Sequence, residues 1–216
     1  MQLAFDLDLP AEAAPTVKRA RAPNPIVGRR RAEQLSLPGL PHAPIASLFL
    51  AICPDACASA EIDQRIVPAI KGAIASKIGI VPGECRHISM VGFGKFDHVA
   101  PAHVDKLDAL LRELKAPAFS AIFDRLMTFG PRGAVVMTGV DCVAPLRDFH
   151  DRVCDALQLP RHFRNFTPHM TVARAPRIMP ELEVPPVSWQ VREFQLIHSL
   201  RKPYRHLIKA RWPLAA

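Results

Sequence analysis

The chain has 216 residues, 49% hydrophobic and 22% charged, which excludes global disorder and is enough to bury a real core. Its longest apolar stretch, Ile45 to Cys53, is far short of the roughly 20 residues a membrane helix needs. The net charge of +8 divides as +2 over residues 1–44, −1 over 45–160 and +7 over 161–216, so the last quarter is either a solvated basic face or a seat for an anion such as phosphate.

Residues 1–44 hold seven prolines, a run of Arg29, Arg30 and Arg31, and no sustained period, which predicts a flexible leader. Its acidic start, with Asp6, Asp8 and Glu12, does not read as a secretory signal. A folded domain is expected over 45–216. Residues 47–52 predict a buried strand, and 55–78 a helix kinked or split at Pro68. A second strand is expected at 86–93. Val104, Leu107, Leu111 and Leu114 mark an amphipathic helix over 102–114. Strands are expected at 118–129 and 134–140, joined around Gly130-Pro131-Arg132-Gly133. Leu146, Phe149, Val153 and Leu157 predict another helix, ended by Pro160. A short strand at 169–174 and a hairpin of 191–200 with 205–212 close the chain. Neither a dinucleotide glycine fingerprint nor a phosphate-binding glycine loop is present, and the pattern predicts an α+β domain.

The five cysteines are odd in number and form no C-x-x-C pair, which predicts reduced thiols and a cytoplasmic protein rather than a disulfide framework or zinc site. No histidine cluster has a metal-ligand spacing such as H-E-x-x-H.

Two of the nine histidines open a similar tetrapeptide, His87-Ile88-Ser89-Met90 and His169-Met170-Thr171-Val172. In a strand, alternate side chains share a face. Each motif therefore offers a histidine and a hydroxyl on one face and two apolar residues on the other. The ordinary alternative is a pair of sheet histidines with neighbouring hydroxyls. The chemical reading is a metal-free acid/base pair: near neutrality one imidazole can accept a proton while another donates one. Hydroxyls beside them can bond the non-bridging oxygens of a phosphodiester.

The stretch Phe166-Thr167-Pro168-His169-Met170-Thr171-Val172-Ala173-Arg174 resembles the second motif of the 2H phosphoesterases, and Val81-Pro82-Gly83-Glu84-Cys85-Arg86-His87-Ile88-Ser89, closed by Gly94, resembles the first. The nearest branch is the bacterial 2′-5′ RNA ligase / RNA 2′,3′-cyclic phosphodiesterase group, and the resemblance covers about residues 46–214. It implies a bilobal α+β fold in which antiparallel sheets with flanking helices repeat about a pseudo-twofold axis around a central cleft. It also implies His87 as proton donor, His169 as the base that activates water, and Ser89, Thr171 and Arg174 as phosphate contacts. The expected partner is RNA with a 2′,3′-cyclic phosphate end, or a small cyclic nucleotide. The expected protein is a monomer with no cofactor, no metal and no membrane contact.

Some positions depart from the family pattern. Ser89 replaces the commoner Thr. Val91 stands where relatives often carry Arg or Lys, and strand alternation places it on the same face as His87 and Ser89. Ile80 and Gly92 stand where Trp and Phe are frequent. Tyr204 lies in the last turn, where the family often has a tyrosine; packing or turn stabilisation is its expected role, and reaching the cleft is the alternative. Phe166 is expected to pack beside a strand, and His162, His198 and His206 to be surface or core histidines. The alternatives are a non-catalytic RNA- or nucleotide-binding protein on the same fold, or a phosphodiesterase for another small cyclic phosphate.

Overall fold

A computed structural model describes residues 46–74, 77–130, 133–140, 142–201 and 203–215. The predicted leader, residues 1–44, lies outside the described residues.

Strand β1 (Ala46–Ile52) leads into α1 (Ala56–Glu61), whose first turn is closed by the Asp55 carboxylate accepting from the Ala58 N–H at 2.8 Å. A π-helical turn (Ile62–Ile66) joins α1 to α2 (Val67–Ala73). The expected division at Pro68 is present: the run passes through the π turn into α2, and Pro68, which cannot donate to the preceding turn, lies in the first turn of α2. The next elements are β2 (Gly79–Ile80), a 3₁₀ turn (Gly83–Cys85), β3 (Ile88–Lys95), α3 (Pro101–Leu111), β4 (Phe119–Phe129) and β5 (Ala134–Thr138). They are followed by α4 (Ala144–Ala156), β6 (Met170–Arg174), β7 (Leu182–Val191), β8 (Glu193–Arg201) and β9 (Tyr204–Pro213).

The strands pair antiparallel in the order β7-β4-β5-β6-β3-β1-β8-β9, and β2 also pairs with β6. The order reads symmetrically outward from β6 and β3. On one side β5 leads through α4 to β6, and on the other β1 leads through α1 and α2 to β3. Each half thus contributes one strand to the centre and one helical segment to the core.

One face of β1, through Leu48, Leu50 and Ile52, packs into the main core with Ile62, Ile66 and Ile70 of the helical segment. On α4, Leu146, Phe149 and Val153 recur at helical spacing and enter the same core, each worth roughly 1.5–3 kcal/mol when fully buried. The opposite face of β1 forms a small separate cluster of Phe49, Ala51 and Ile197, with Cys53 against it.

Two strands go beyond the sequence expectation. β2 is only two residues long. β7 contains Pro185 and Pro186, which argue against a strand by sequence, but it pairs only with β4 in the sheet order. Its prolines fall where the register shifts, between Val187 opposite Phe123 and Glu183 opposite Arg125. An edge strand with a bulge tolerates the missing donors.

Candidate active site

The two motifs meet at the centre of the sheet. Ile88 of β3 lies directly opposite Met170 of β6, and both side chains are fully buried. One residue to either side of that pair stand His87, just before β3, and Ser89 on it, and His169, just before β6, and Thr171 on it. All four lie on the other face, where His87, His169 and Thr171 are half-buried and Ser89 is exposed. Continued by one residue, the antiparallel register sets each histidine against the other motif's hydroxyl. The two histidines then become diagonal neighbours, roughly 7 Å apart at Cβ.

Both rings are oriented in the same way. The His87 Nδ1–H donates to the Cys85 carbonyl at 2.8 Å, and the His169 Nδ1–H donates to the Thr167 carbonyl at 2.7 Å. A carbonyl can only accept, so Nδ1 carries the hydrogen in both. Nε2 is left to gain or lose a proton on the open side.

Beyond the hydroxyls, both central strands carry the same irregularity. Against β1, Ala51 faces Ser89 but Leu50 faces Val91, so Met90 is an extra residue. Against β5, Val136 faces Thr171 but Val135 faces Ala173, so Val172 is an extra residue. A bulge of this kind reverses the alternation that follows it. Arg174, five places after His169, would point away from it in a regular strand. The bulge returns it, exposed, to the His169 face. By the same device the expected position of Val91 is corrected. It does not share the face of His87 and Ser89 but is 2% exposed in the main core, and Gly92 takes the open position. A Cβ built on Gly92 would meet nothing within 4 Å. The site thus has a cation beside the second motif and open space at the matching point of the first. Gly94, with φ of +112°, follows the second irregularity of β3, in a conformation that favours glycine.

The segments before the histidines are held differently. Arg86 is 1% exposed. Its guanidinium donates to the Ser59 carbonyl at 3.1 Å and the Val81 carbonyl at 3.2 Å, and pairs with Asp63 of the π turn. Before His169, the Thr138 hydroxyl at the end of β5 donates to the Pro168 carbonyl at 2.8 Å.

The ring surroundings differ as well. Phe49 stacks on His87, with centroids 4.7 Å apart and planes at 22°, and His206 of β9 meets it edge-on at 4.9 Å. Burial holds the His87 imidazole below its ordinary 6.5; the Cys85 carbonyl opposes the shift and the charge of His169 adds to it. Burial, with the charge of His87, pushes His206 down to about 4. Among the described residues His169 meets one ring, that of Phe129, at 5.0 Å.

A family model described as the 2′-5′ RNA ligase superfamily matches residues 84–203, a span that holds both motifs. The chain belongs to this superfamily, within the 2H phosphoesterases. Solved structures show the same fold. E. coli LigT complexed with phosphate is 21% identical, with a TM-score of 0.60 over 80% of this chain and 99% of that one. E. coli LigT complexed with 3′-AMP is also 21% identical, with a TM-score of 0.62 over 79% and 99%. The protein TT0787 of Thermus thermophilus is 19% identical, with a TM-score of 0.54 over 77% and 97%. No curated protein matches the chain.

Within this superfamily member, the five residues singled out by sequence gather around one sheet face. Two aromatic neighbours of His87 lie outside that set. Phe49 stands in the sequence only as part of a buried strand. His206 shares a strand face with Tyr204, and that period of two was the available signal. Tyr204 is 48% exposed and meets the His206 ring edge-on at 5.9 Å. Phe166 stacks on His150 at 4.2 Å, and His198 is buried with Nε2 donating to the Phe96 carbonyl at 2.8 Å, as core residues do. Among the described residues no group of three His, Cys, Asp or Glu side chains is placed to hold a metal, and no helix is long and apolar enough to cross a membrane.

Proposed function

We propose that the protein is a phosphodiesterase that opens 2′,3′-cyclic phosphates, at RNA ends or on nucleotides, and leaves 2′-phosphates. The observation that carries this reading is the reciprocal arrangement of two histidine-hydroxyl motifs about the Ile88–Met170 pair, each ring fixed through Nδ1.

A phosphate over this pair meets an imidazole Nε2 from each side. Water attacks phosphorus while His169 Nε2 takes its proton. The P–O3′ bond breaks, and the departing oxygen takes the proton carried by His87 Nε2. Exchange with solvent then restores both rings. Ser89 and Thr171 donate to the non-bridging oxygens as their charge grows. Arg174 holds the phosphate by charge-assisted hydrogen bonds. His87 is below its ordinary proton affinity in the free protein, and the arriving phosphate anion offsets this by favouring the charged ring. With a 5′-hydroxyl in place of water, the same displacement forms a 2′-5′ bond. The scheme uses no metal and no cofactor, and one chain supplies every group in it. Support for a nucleotide substrate comes from E. coli LigT, whose structures include complexes with phosphate and with 3′-AMP.

The test is an RNA oligonucleotide ending in a 2′,3′-cyclic phosphate, incubated with EDTA and analysed for product mass and phosphate position. Conversion to the 2′-phosphate by wild type, and not by His87→Ala or His169→Ala, is expected. Tight binding without conversion by folded wild type would replace this reading with a non-catalytic binder. Conversion only of small cyclic nucleotides would narrow the substrate.

A further inference from the structure

Among the described residues, the aromatic enclosure of His87 has no counterpart of equal extent around His169. Three rings converge there from two strands. Phe49 of β1 covers one face of His87 and meets the His206 ring at 5.9 Å and 80°. His206 of β9 stands edge-on to His87 at 4.9 Å and 69°, and Tyr204 backs His206 at 5.9 Å. Both His206 ring nitrogens are buried, and among the described residues neither has a hydrogen-bond partner.

A histidine whose nitrogens bond nothing is an expensive way to fill space. Burying such polar atoms costs free energy that Phe or Leu would avoid. Its ring does, however, limit how far the His87 ring can swing. His87 rotates about two side-chain bonds. Its Nδ1 bond to Cys85 fixes one edge, Phe49 covers one face, and His206 stands edge-on against the ring, which leaves Nε2 free toward the open side.

We propose that His206 is a positioning residue for His87, holding that ring with Phe49 so that Nε2 points to the phosphate and the ring stays shielded from water. This rests on reading His87 as one of the acid/base pair.

The electrostatic surroundings agree with a neutral His206. Among the described residues, the titratable groups facing the two rings are His169 just before β6, Cys85 from the 3₁₀ turn and Tyr204 from β9, the last with Arg174 and Arg201 nearby. Burial raises both the Cys85 thiol and the Tyr204 phenol above their ordinary values, so neither supplies a negative charge near neutrality. Among the described residues no carboxylate forms an ion pair with either ring; the one histidine so paired is His150, with Asp151. A proton on His206 would face His87 with nothing to balance it.

The test reads His87 itself. Imidazole resonances are followed by NMR from pH 4 to 8 in wild type, His206→Phe and His206→Ala, and His87 is assigned through the signal missing from His87→Gln. In wild type His87 should titrate below 6.5. In His206→Phe, which keeps a ring edge, it should stay low. In His206→Ala it should move toward 6.5 as water reaches the ring. With the cyclic-phosphate substrate, His206→Ala should lower kcat about tenfold with KM little changed, and His206→Phe should restore most of that loss. An unmoved His87 titration in a folded His206→Ala protein overturns the proposal. So does a kcat loss in His206→Phe as large as in His206→Ala. The titration needs no turnover, so it stands apart from failure of the phosphodiesterase reading.

Discussion

The two halves of the sheet share a plan and differ in what surrounds the plan. Both present a histidine tied through Nδ1 to the carbonyl two residues earlier, then a hydroxyl, then one extra residue. The His87 half is held by a buried guanidinium and closed by two rings. The His169 half is held by one neutral hydroxyl and carries Arg174. Backbone symmetry therefore supplies two alike histidines, and the side chains around them make one enclosed and the other open beside a cation. On the proposed reading, that inequality separates the surroundings of the proton donor from those of the base.

The largest effect expected from breaking the comparison is on turnover. His87→Ala and His169→Ala should each lower kcat by about 10² to 10⁴, with the fold retained by circular dichroism. The clamps come next. Asp63→Ala leaves the buried Arg86 guanidinium with only its two carbonyl partners and should cost about 2–3 kcal/mol by denaturant unfolding. Thr138→Val, which removes one neutral bond to Pro168, should cost about 1–2 kcal/mol. Equal costs would mean that the halves are not held differently.

Arg174→Ala should raise KM roughly tenfold, as loss of about 1.4 kcal/mol of phosphate binding requires. The complementary change is Gly92→Arg, which puts a cation at the matching point of the first half, where a Cβ meets open space. It should lower KM by no more than about threefold in this exposed position. A loss of folding would show that the space is not open.

The smallest effect is on stability against pH. His87, His150 and His206 all bind protons less readily in the folded chain than at their ordinary value of 6.5, His206 down to about 4. Between those limits the unfolded chain holds more protons. The histidine contribution to Tm should therefore fall as pH is lowered from 6.5 toward 4 and level off below, where protonation of carboxylates such as Asp108, held low by the Trp212 and Arg112 hydrogen bonds, lowers Tm further. His206→Phe should flatten part of that slope. A Tm constant from pH 7 to 4.5 would contradict the burial of these rings.

Much of this arrangement is legible from residues alone, for a physical reason. The motifs sit on short apolar strands, where a period of two sorts His87 and Ser89 from Ile88, and His169 and Thr171 from Met170. Helix α4 is visible because Leu146, Phe149 and Val153 recur at helical spacing. What stays hidden depends on partners far along the chain. The extra residues Met90 and Val172 are defined only against β1 and β5, so the faces of Val91 and Arg174 cannot be counted from their own strands. The β7 prolines are tolerable only on an edge, and an edge is a property of the whole sheet. His206 reaches His87 only through the pairing of β9 with β8 and β8 with β1.

The most direct test of a division of labour between the halves uses a cyclic substrate whose 3′ oxygen is replaced by sulfur. A thiolate departs without needing a proton, so only the base remains essential. Each variant is compared with wild type on the sulfur and oxygen substrates. His87→Ala should recover most of its lost rate on the sulfur substrate, and His169→Ala should not. Recovery by His169→Ala instead, or by neither variant, would contradict the assignment of proton donor to the enclosed half and base to the open one.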